Sequence, residues 1–154
     1  MKNEDILKNF LKNVDKSNFK NDPFVKRIPK PWGYELLFTP EDLSYSGKIL
    51  HIEAGKRLSL QVHDEKQETY MILSGECNLI LENENGELET IEMQHRVSYT
   101  TKVGQRHRHH AITDVDVIEY AAPETGNTYR LEDDYSRPTE TEELRKDPNR
   151  GWTK

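Results

Sequence analysis

The chain has 154 residues, which is enough for one domain with a buried core and too few for two full-sized domains with a linker. Acidic residues outnumber basic ones 28 to 22, and the net charge of −6 argues against sequence-independent binding to nucleic acid or to an anionic membrane surface. Hydrophobic residues make up 33% of the chain without any run approaching the roughly 18 that span a bilayer, so a small molecule is the favoured class of partner.

The N-terminal segment, residues 1–26, predicts a helix and a linker. Its beginning is rich in Lys, Asn and Asp and lacks the apolar core of a secretion signal, so we expect a cytoplasmic protein. Residues 3–15 carry apolar side chains three and four positions apart, from Ile6 to Val14, which is the pattern of a short amphipathic helix. This helix is expected to pack on the domain or on a second subunit.

The middle of the chain predicts a series of short strands. Nine segments have alternating or β-branched residues and are separated by turn sequences that contain Gly, Asn and Asp. They are 33–38, 47–53, 57–63, 68–74, 77–83, 87–93, 97–101, 105–112 and 115–121. Strands at intervals of about ten residues, with no helix between them, indicate an all-β fold, an antiparallel sandwich or barrel. We place this domain at residues 27–137.

The remaining segment, residues 138–154, is predicted to be a polar C-terminal tail. Within it, residues 139–146 are mostly Thr and charged residues and have the composition of a frayed, solvated helix.

Four side chains have the chemistry and the spacing of a metal site. Gln61 and His63 are two apart on a predicted strand, so both side chains leave the same face. Glu68 follows a four-residue turn, and His107 opens a later strand just after the tight turn that Gly104 allows. Imidazole, carboxylate and amide oxygen together suit Zn, Mn, Fe, Co or Ni better than Ca. The sequence therefore predicts one divalent metal ion held by these four residues.

Two motifs around these residues resemble those of the cupin superfamily. The first runs from Gly55 to Gly75 and contains the first three predicted ligands, and the second runs from Gly104 to His107. The resemblance implies an RmlC-like cupin fold, an antiparallel β-barrel or jelly roll, here with a short N-terminal helix and a polar C-terminal tail. Gln61 stands where the usual first ligand is His, and its amide oxygen retains the ability to coordinate.

Three further segments make the resemblance more specific. The sequences KPWGYE at 30–35, RLSLQVH at 57–63 and RLEDDYSR at 130–137 are similar to the C-terminal cupin domain of type II mannose-6-phosphate isomerases. The similarity covers about residues 27–137. It implies a metal held by Gln, His, Glu and His, and aldose–ketose isomerisation of a sugar phosphate. It does not imply the guanylyltransferase activity of bifunctional relatives, since no nucleotidyltransferase domain is present in this sequence.

The chain departs from the family pattern at several positions. Lys66 occupies the position of the Arg proposed to act in catalysis, and Asp64 and Glu65 replace two His. Arg96 stands where a Gly normally opens the second motif, and Ser136 stands where a Gly is usual. Lys in place of Arg keeps the charge and loses the rigid fork that grips a phosphate.

The isomerase resemblance assigns further roles. A base must move a proton between C1 and C2 of the open-chain sugar, and Lys66 and His109 are the candidates. Arg137 and Lys66 are expected to point toward the metal pocket and to supply positive charge for an anionic sugar. Tyr70 shares the inward face with Glu68 and is expected to pack in the core, to wall the pocket or to donate a hydrogen bond. The pool of cations for the phosphate consists of Arg57, Lys102, Arg106, Arg108 and Arg137.

Two other functions remain open on the sequence. One is a non-catalytic module that binds a sugar or a nucleotide sugar, and the other is a metal-dependent dioxygenase or another cupin enzyme, because a fold alone does not determine chemistry. In each case we expect a homodimer, because sheets of this kind leave open edges that the helix at 3–15 and the strand at 33–38 would cover.

Overall fold

The computed structural model describes residues 3–151, which form one α-helix, eleven strands and one 3₁₀ helix. Residues 1, 2 and 152–154, at the ends of the two predicted terminal segments, lie outside the described residues. The helices are α1 (Asn3–Lys12) and a 3₁₀ helix (Leu144–Lys146). The strands are β1 (Lys26–Lys30), β2 (Gly33–Leu37), β3 (Ser46–Ile52), β4 (Leu60–His63), β5 (Glu68–Ser74), β6 (Cys77–Glu82), β7 (Leu88–Glu92), β8 (Tyr99–Thr101), β9 (His107–Ala111), β10 (Val115–Ala121) and β11 (Thr128–Glu132).

The strands form two antiparallel sheets with the core between them. The six-stranded sheet has the order β1-β2-β3-β10-β5-β8, and the five-stranded sheet has the order β11-β4-β9-β6-β7. Leu50, Ile52 and Val117 of the first sheet share one buried cluster with Leu79 and Ala111 of the second. The prediction of an all-β fold is confirmed, and the arrangement is that of a jelly roll.

The structure adds two strands that the sequence pattern missed. β1 contains Pro29, and a proline is tolerated there because β1 lies at the edge of its sheet and pairs only with β2. β11 pairs with β4, the strand that carries Gln61 and His63. Its half-buried Arg130 takes part in the charged cavity described below, so β11 lacks an apolar alternation that would predict a strand.

Both terminal helices differ from the prediction. α1 ends at Lys12, and its apolar residues from Ile6 to Leu11 are between 49% and 65% exposed, so α1 does not pack on the sheets. The prediction of a helix over 139–146 is wrong, because only the last three of these residues are helical and they form a 3₁₀ helix. Before that helix, Glu140 exchanges two backbone hydrogen bonds of 2.9 Å with Thr128 of β11. The C-terminal segment is therefore tied to the five-stranded sheet.

An apolar row crosses the outer face of the six-stranded sheet. Leu36, Ile49, Ile118 and Met71 lie opposite one another in register on β2, β3, β10 and β5, and all four are half-buried. We propose that this row is buried against a second copy in the expected homodimer. We expect light scattering at micromolar concentration to give the mass of a dimer.

The dimer test has a matched pair of variants. Ile118→Lys should give a monomer, whereas Leu88→Lys, at an exposed apolar residue of β7 in the other sheet, should leave the dimer intact. A monomeric wild type would contradict the prediction.

The two residues that replace a glycine of the family pattern have a backbone conformation that favours glycine. Arg96 and Ser136 are the non-glycine residues with positive φ, 63° and 56°, among residues 3–151. An L-residue there costs about 1–2 kcal/mol, which exceeds the extra chain entropy that glycine loses on folding. We expect Arg96→Gly and Ser136→Gly each to raise the free energy of unfolding by about 0.5–1 kcal/mol in urea titrations. Ser98→Gly, at an exposed residue without positive φ, is the control and should be destabilising.

Candidate metal centre

Three predicted ligands converge between the two sheets. His63 ends β4 and His107 begins β9, both in the five-stranded sheet, while Glu68 begins β5 in the six-stranded sheet. The turn between His63 and Glu68 therefore crosses from one sheet to the other, and the two residues do not form a hairpin pair. Their ligand atoms and that of His107 all lie within 4.8 Å of one another. Glu68 Oε2 is 2.9 Å from His63 Nε2 and 3.3 Å from His107 Nε2.

The surrounding contacts orient both imidazoles for metal binding. His107 Nδ1 lies 2.9 Å from the backbone carbonyl of Gln105, so Nδ1–H donates and the lone pair remains on Nε2. That Nε2 is buried without a hydrogen-bond partner. His63 Nδ1 lies 3.0 Å from Thr128 Oγ1. Separations of about 3 Å between ligand atoms match bonds of about 2.0–2.2 Å to one ion, so these residues fit a divalent metal.

The turn before β9 is fastened to the ligand strand. Gly104 has φ of 78°, which allows the tight turn expected from the sequence, and its N–H donates to the carbonyl of His63 over 2.8 Å. Gln61 lies directly opposite His107 in the β4–β9 register. These contacts place the start of β9 beside the end of β4.

Gln61 is adjacent to the three ligands but presents its amide nitrogen to them. Nε2 lies 3.5 Å from His63 Nε2, while Oε1 accepts a hydrogen bond of 2.8 Å from Ser59. A half-turn of the amide would direct the oxygen toward the centre and leave the Ser59 hydroxyl able to accept from the nitrogen. Ligation by Gln61 stays a prediction.

The protonation states of the centre suit a cation. Burial of Glu68 disfavours its charge, but the positive charge of Lys66, whose Nζ is 2.6 Å from Glu68, together with the hydrogen bond from His63 outweighs burial and holds the pKa of Glu68 well below its usual range. Tyr70 also donates a short hydrogen bond to Glu68. Burial lowers the pKa of His63, so its imidazole is neutral. A carboxylate beside a neutral imidazole is the form that a metal requires.

The other predicted catalytic residues occupy different surroundings. Lys66 and Arg137 both line the cavity beside the metal ligands. Arg137 is paired through its side chain with Asp133, at 2.7 and 3.0 Å. His109 is fully buried in the core, where its ring packs edge-on against Tyr70 at 4.4 Å, and burial together with His107 holds its pKa at about 3.

The predicted phosphate cations other than Arg137 do not meet at the centre. Arg57 pairs with Asp134, Arg106 pairs with Glu82, Arg108 bonds the carbonyl of Leu58 and Glu132, and Lys102 borders a separate surface cavity. None of these four side chains lines the cavity beside the metal ligands.

A buried network of ion pairs surrounds this cavity, and most of it was missed from the sequence. Lys48 and Glu119 illustrate the missed signal, because strand alternation places them on the same inward faces as Leu50 and Val117. The basic members are Lys30, Lys48, Lys66, Arg130, Arg137, Arg145 and Arg150. The acidic members are Glu35, Glu68, Glu119, Glu124, Asp133 and Glu140.

This network makes stability depend on pH in the acid range. Burial disfavours the charge of Glu35, but Lys30, Lys48 and Arg150 lower its pKa from 4.5 to about 2. A depressed carboxyl pKa gives stability that is present above about pH 4.5 and is lost as the pH falls toward 2, by roughly 3 kcal/mol. Urea unfolding between pH 2 and 7 should show this loss. The Glu35→Gln variant should have a flatter profile, and equal slopes in the two proteins would contradict the assignment.

Comparison with known proteins identifies the family. The family model of the mannose-6-phosphate isomerase C-terminal domain matches residues 17–140. The chain belongs to this family. No curated protein sequence gives a significant match. Among residues 3–151, the structure contains no helix with the length and apolar character needed to cross a membrane.

Several solved structures share the fold at low sequence identity. Oxalate decarboxylase from Bacillus subtilis has a TM-score of 0.62 and 15% identity over 77% of this chain, and the chain spans 34% of that protein. A Streptomyces nucleoside dehydratase has a TM-score of 0.55 and 16% identity, covering 68% of this chain and 82% of its own. The protein KdgF from Halomonas has a TM-score of 0.55 and 14% identity, covering 69% and 91%. These similarities establish the cupin fold of this member of the mannose-6-phosphate isomerase C-terminal family.

Proposed function

We propose that this protein is a metal-dependent enzyme that interconverts the aldose and ketose forms of a phosphorylated sugar, as a mannose-6-phosphate isomerase does. The observation that carries the proposal is the convergence of His63, Glu68 and His107 on one point beside a cavity lined by charged side chains of both signs. Membership of the mannose-6-phosphate isomerase C-terminal family supports the choice of reaction.

The positive charge around the cavity supports an anionic substrate. When every member is ionised, the seven basic and six acidic side chains of the network leave one net positive charge. A divalent metal raises this excess by two. A sugar phosphate carries about −1.5 to −2 at neutral pH, so it offsets most of the excess.

Each residue of the centre has a role in this proposal. His63, Glu68 and His107 would hold the metal, with Gln61 as the fourth ligand. The bound ion supplies Lewis acidity toward the neighbouring carbonyl and hydroxyl oxygens of an open-chain sugar. Lys66 supplies a fixed positive charge, because Glu124 and Glu68 outweigh the effect of burial and raise the pKa of its ammonium group.

The proton transfer between C1 and C2 needs a base. A charged Lys66 has no free lone pair, and His109 lies in the core beside Tyr70. Glu119 lines the cavity, and its Oε1 is buried without a hydrogen-bond partner. Burial and the charge of Glu68 raise the pKa of Glu119 to about 8, near the pH at which a general base works best. We assign the base to Glu119 ahead of the two sequence candidates.

The test combines metal analysis with an activity assay. Purified protein should contain about one divalent ion per chain and convert mannose 6-phosphate to fructose 6-phosphate, and Glu119→Gln should keep the metal and lose turnover by about 100-fold or more. Oxygen consumption is measured alongside, because oxygen uptake without isomerisation would favour a dioxygenase.

A non-catalytic sugar-binding or nucleotide-sugar-binding module is the second candidate. It is favoured by Lys66, which stands at the catalytic Arg position of the family and is held in ion pairs with Glu68 and Glu124. Metal-dependent sugar binding without isomerisation by the metal-loaded protein would support this module over the enzyme.

A further inference from the structure

A second, larger cavity lies against the metal cavity. It has a volume of about 480 Å³, whereas the metal cavity has about 50 Å³. Glu35, Lys48 and Glu124 line both cavities, so these three side chains form the wall between them. We call the larger space the outer cavity.

The two volumes imply different occupants. About 10–15 Å³ of such space holds one water molecule, so the metal cavity has room for only a few atoms of a substrate beyond its ligands. Binding sites for whole small molecules have volumes of about 300–1,000 Å³, and the outer cavity falls in this range. A sugar phosphate therefore needs the outer cavity for most of its length.

The outer cavity has cations that are available to a ligand. Lys26 pairs with Glu41, and Lys146 pairs with Glu143, and all four side chains are at least half exposed. Such surface pairs contribute about 0–1 kcal/mol, so an incoming anion displaces the carboxylates at little cost. Arg145 and Arg150 also line the cavity but are held by buried carboxylates.

The remaining lining includes apolar side chains. Ile28, Leu37, Leu43 and Tyr45 contribute carbon surface, and Tyr45 is 55% exposed. A cavity with both apolar and cationic walls suits a sugar ring that carries a phosphate at one end.

The wall between the cavities is a chain of charged contacts that leads to a metal ligand. Glu124 forms ion pairs with both Lys48 and Lys66, and Lys66 also forms an ion pair with Glu68. The Glu124 side chain is 23% exposed and lies on the segment between β10 and β11. It is thus the member of the wall that an anionic ligand can reach from outside.

We propose that the outer cavity binds the phosphate end of the sugar, with Lys26 and Lys146 as the phosphate-binding cations, and that the reactive end reaches the metal centre past Lys48 and Glu124. The identity of the sugar rests on the proposed function. The cavity itself is an anion site that can be tested separately.

The experiment is calorimetric titration of the metal-loaded protein with mannose 6-phosphate, mannose and inorganic phosphate. Lys26→Met and Lys146→Met should each lower the affinity for mannose 6-phosphate about 10-fold, and the double variant about 100-fold, with no change for mannose. Lys102→Met is the matched control, because Lys102 is an exposed cation beside a different cavity, and it should leave every affinity unchanged. Circular dichroism checks that the variants are folded.

The outcomes separate this inference from the proposed function. If the wild type binds and isomerises mannose 6-phosphate but neither lysine variant weakens binding, the outer cavity is excluded while the isomerase stands. If inorganic phosphate binds through Lys26 and Lys146 but mannose 6-phosphate binds no better, the anion site stands and the sugar assignment falls. Loss of affinity in Lys102→Met alone would overturn the outer cavity in favour of the sequence-based assignment.

Discussion

Replacing His107 by Ala lowers the affinity for a divalent metal by more than about 100-fold in our expectation. Loss of a residue that only orients a ligand costs about 10–100-fold, and His107 places its own Nε2 in the centre. The metal-free protein is titrated with Zn²⁺ and with Mn²⁺ in competition with a chelator, and the number of bound metal ions is measured by mass spectrometry. His63→Ala should have an effect of the same order.

The control for this experiment is His110→Ala. His110 lies on the same strand as His107, three positions along, and is absent from the ligand group. It should keep both the affinity and the stoichiometry of the wild type. Equal metal content in the His63, His107 and His110 variants would show that the imidazoles at this point serve the packing of the core and do not bind metal.

Replacing Lys66 by Met destabilises the metal-free protein by about 3–5 kcal/mol in our expectation. Lys66 is 5% exposed and its Nζ is 2.6 Å from Glu68 Oε1, so the variant leaves a buried carboxylate without its closest cation. The free energy of unfolding is measured in urea without metal. Added metal should stabilise the variant more than the wild type, because the ion replaces the missing positive charge beside Glu68.

Lys26→Met is the stability control, since Lys26 forms an exposed ion pair with Glu41. Its expected cost is below about 1 kcal/mol. A Lys66 variant that loses no more stability than this control would mean that Glu68 is protonated in the folded protein, and the charged form assigned to the centre would be wrong.

The sequence predicted the fold where side-chain alternation is apolar. β3 and β10 alternate buried aliphatic residues such as Leu50 and Val117 with half-buried ones, and this period of two residues indicates a β-strand. β1 and β11 were not predicted as strands, because β1 contains Pro29 and β11 carries Arg130. The alternation rule weighs hydrophobicity, so it does not recognise a strand whose inner face is built from ion pairs.

The residues of the site that could be predicted are those that lie close together along the chain. His63, Glu68 and the turn ending at His107 have local spacings that define their motifs, and the structure brings these three together. The lining of the cavities comes from charged residues on strands far apart in sequence, such as Lys48 and Glu119, which face each other only after the sheets form. Sequence proximity to the motif selected Arg106 instead, which pairs with Glu82.

The placement of the ligands on both layers of the jelly roll has a mechanical consequence. His63 and His107 belong to one sheet and Glu68 to the other, so a single ion bonded to all three acts as a cross-link between the layers. Sliding or parting of the sheets then requires a metal–ligand bond to break as well as the apolar interface to open. The metal would stiffen the body of the domain as well as supply its chemistry, and the loaded protein would resist slow opening of the sandwich that the stripped protein permits.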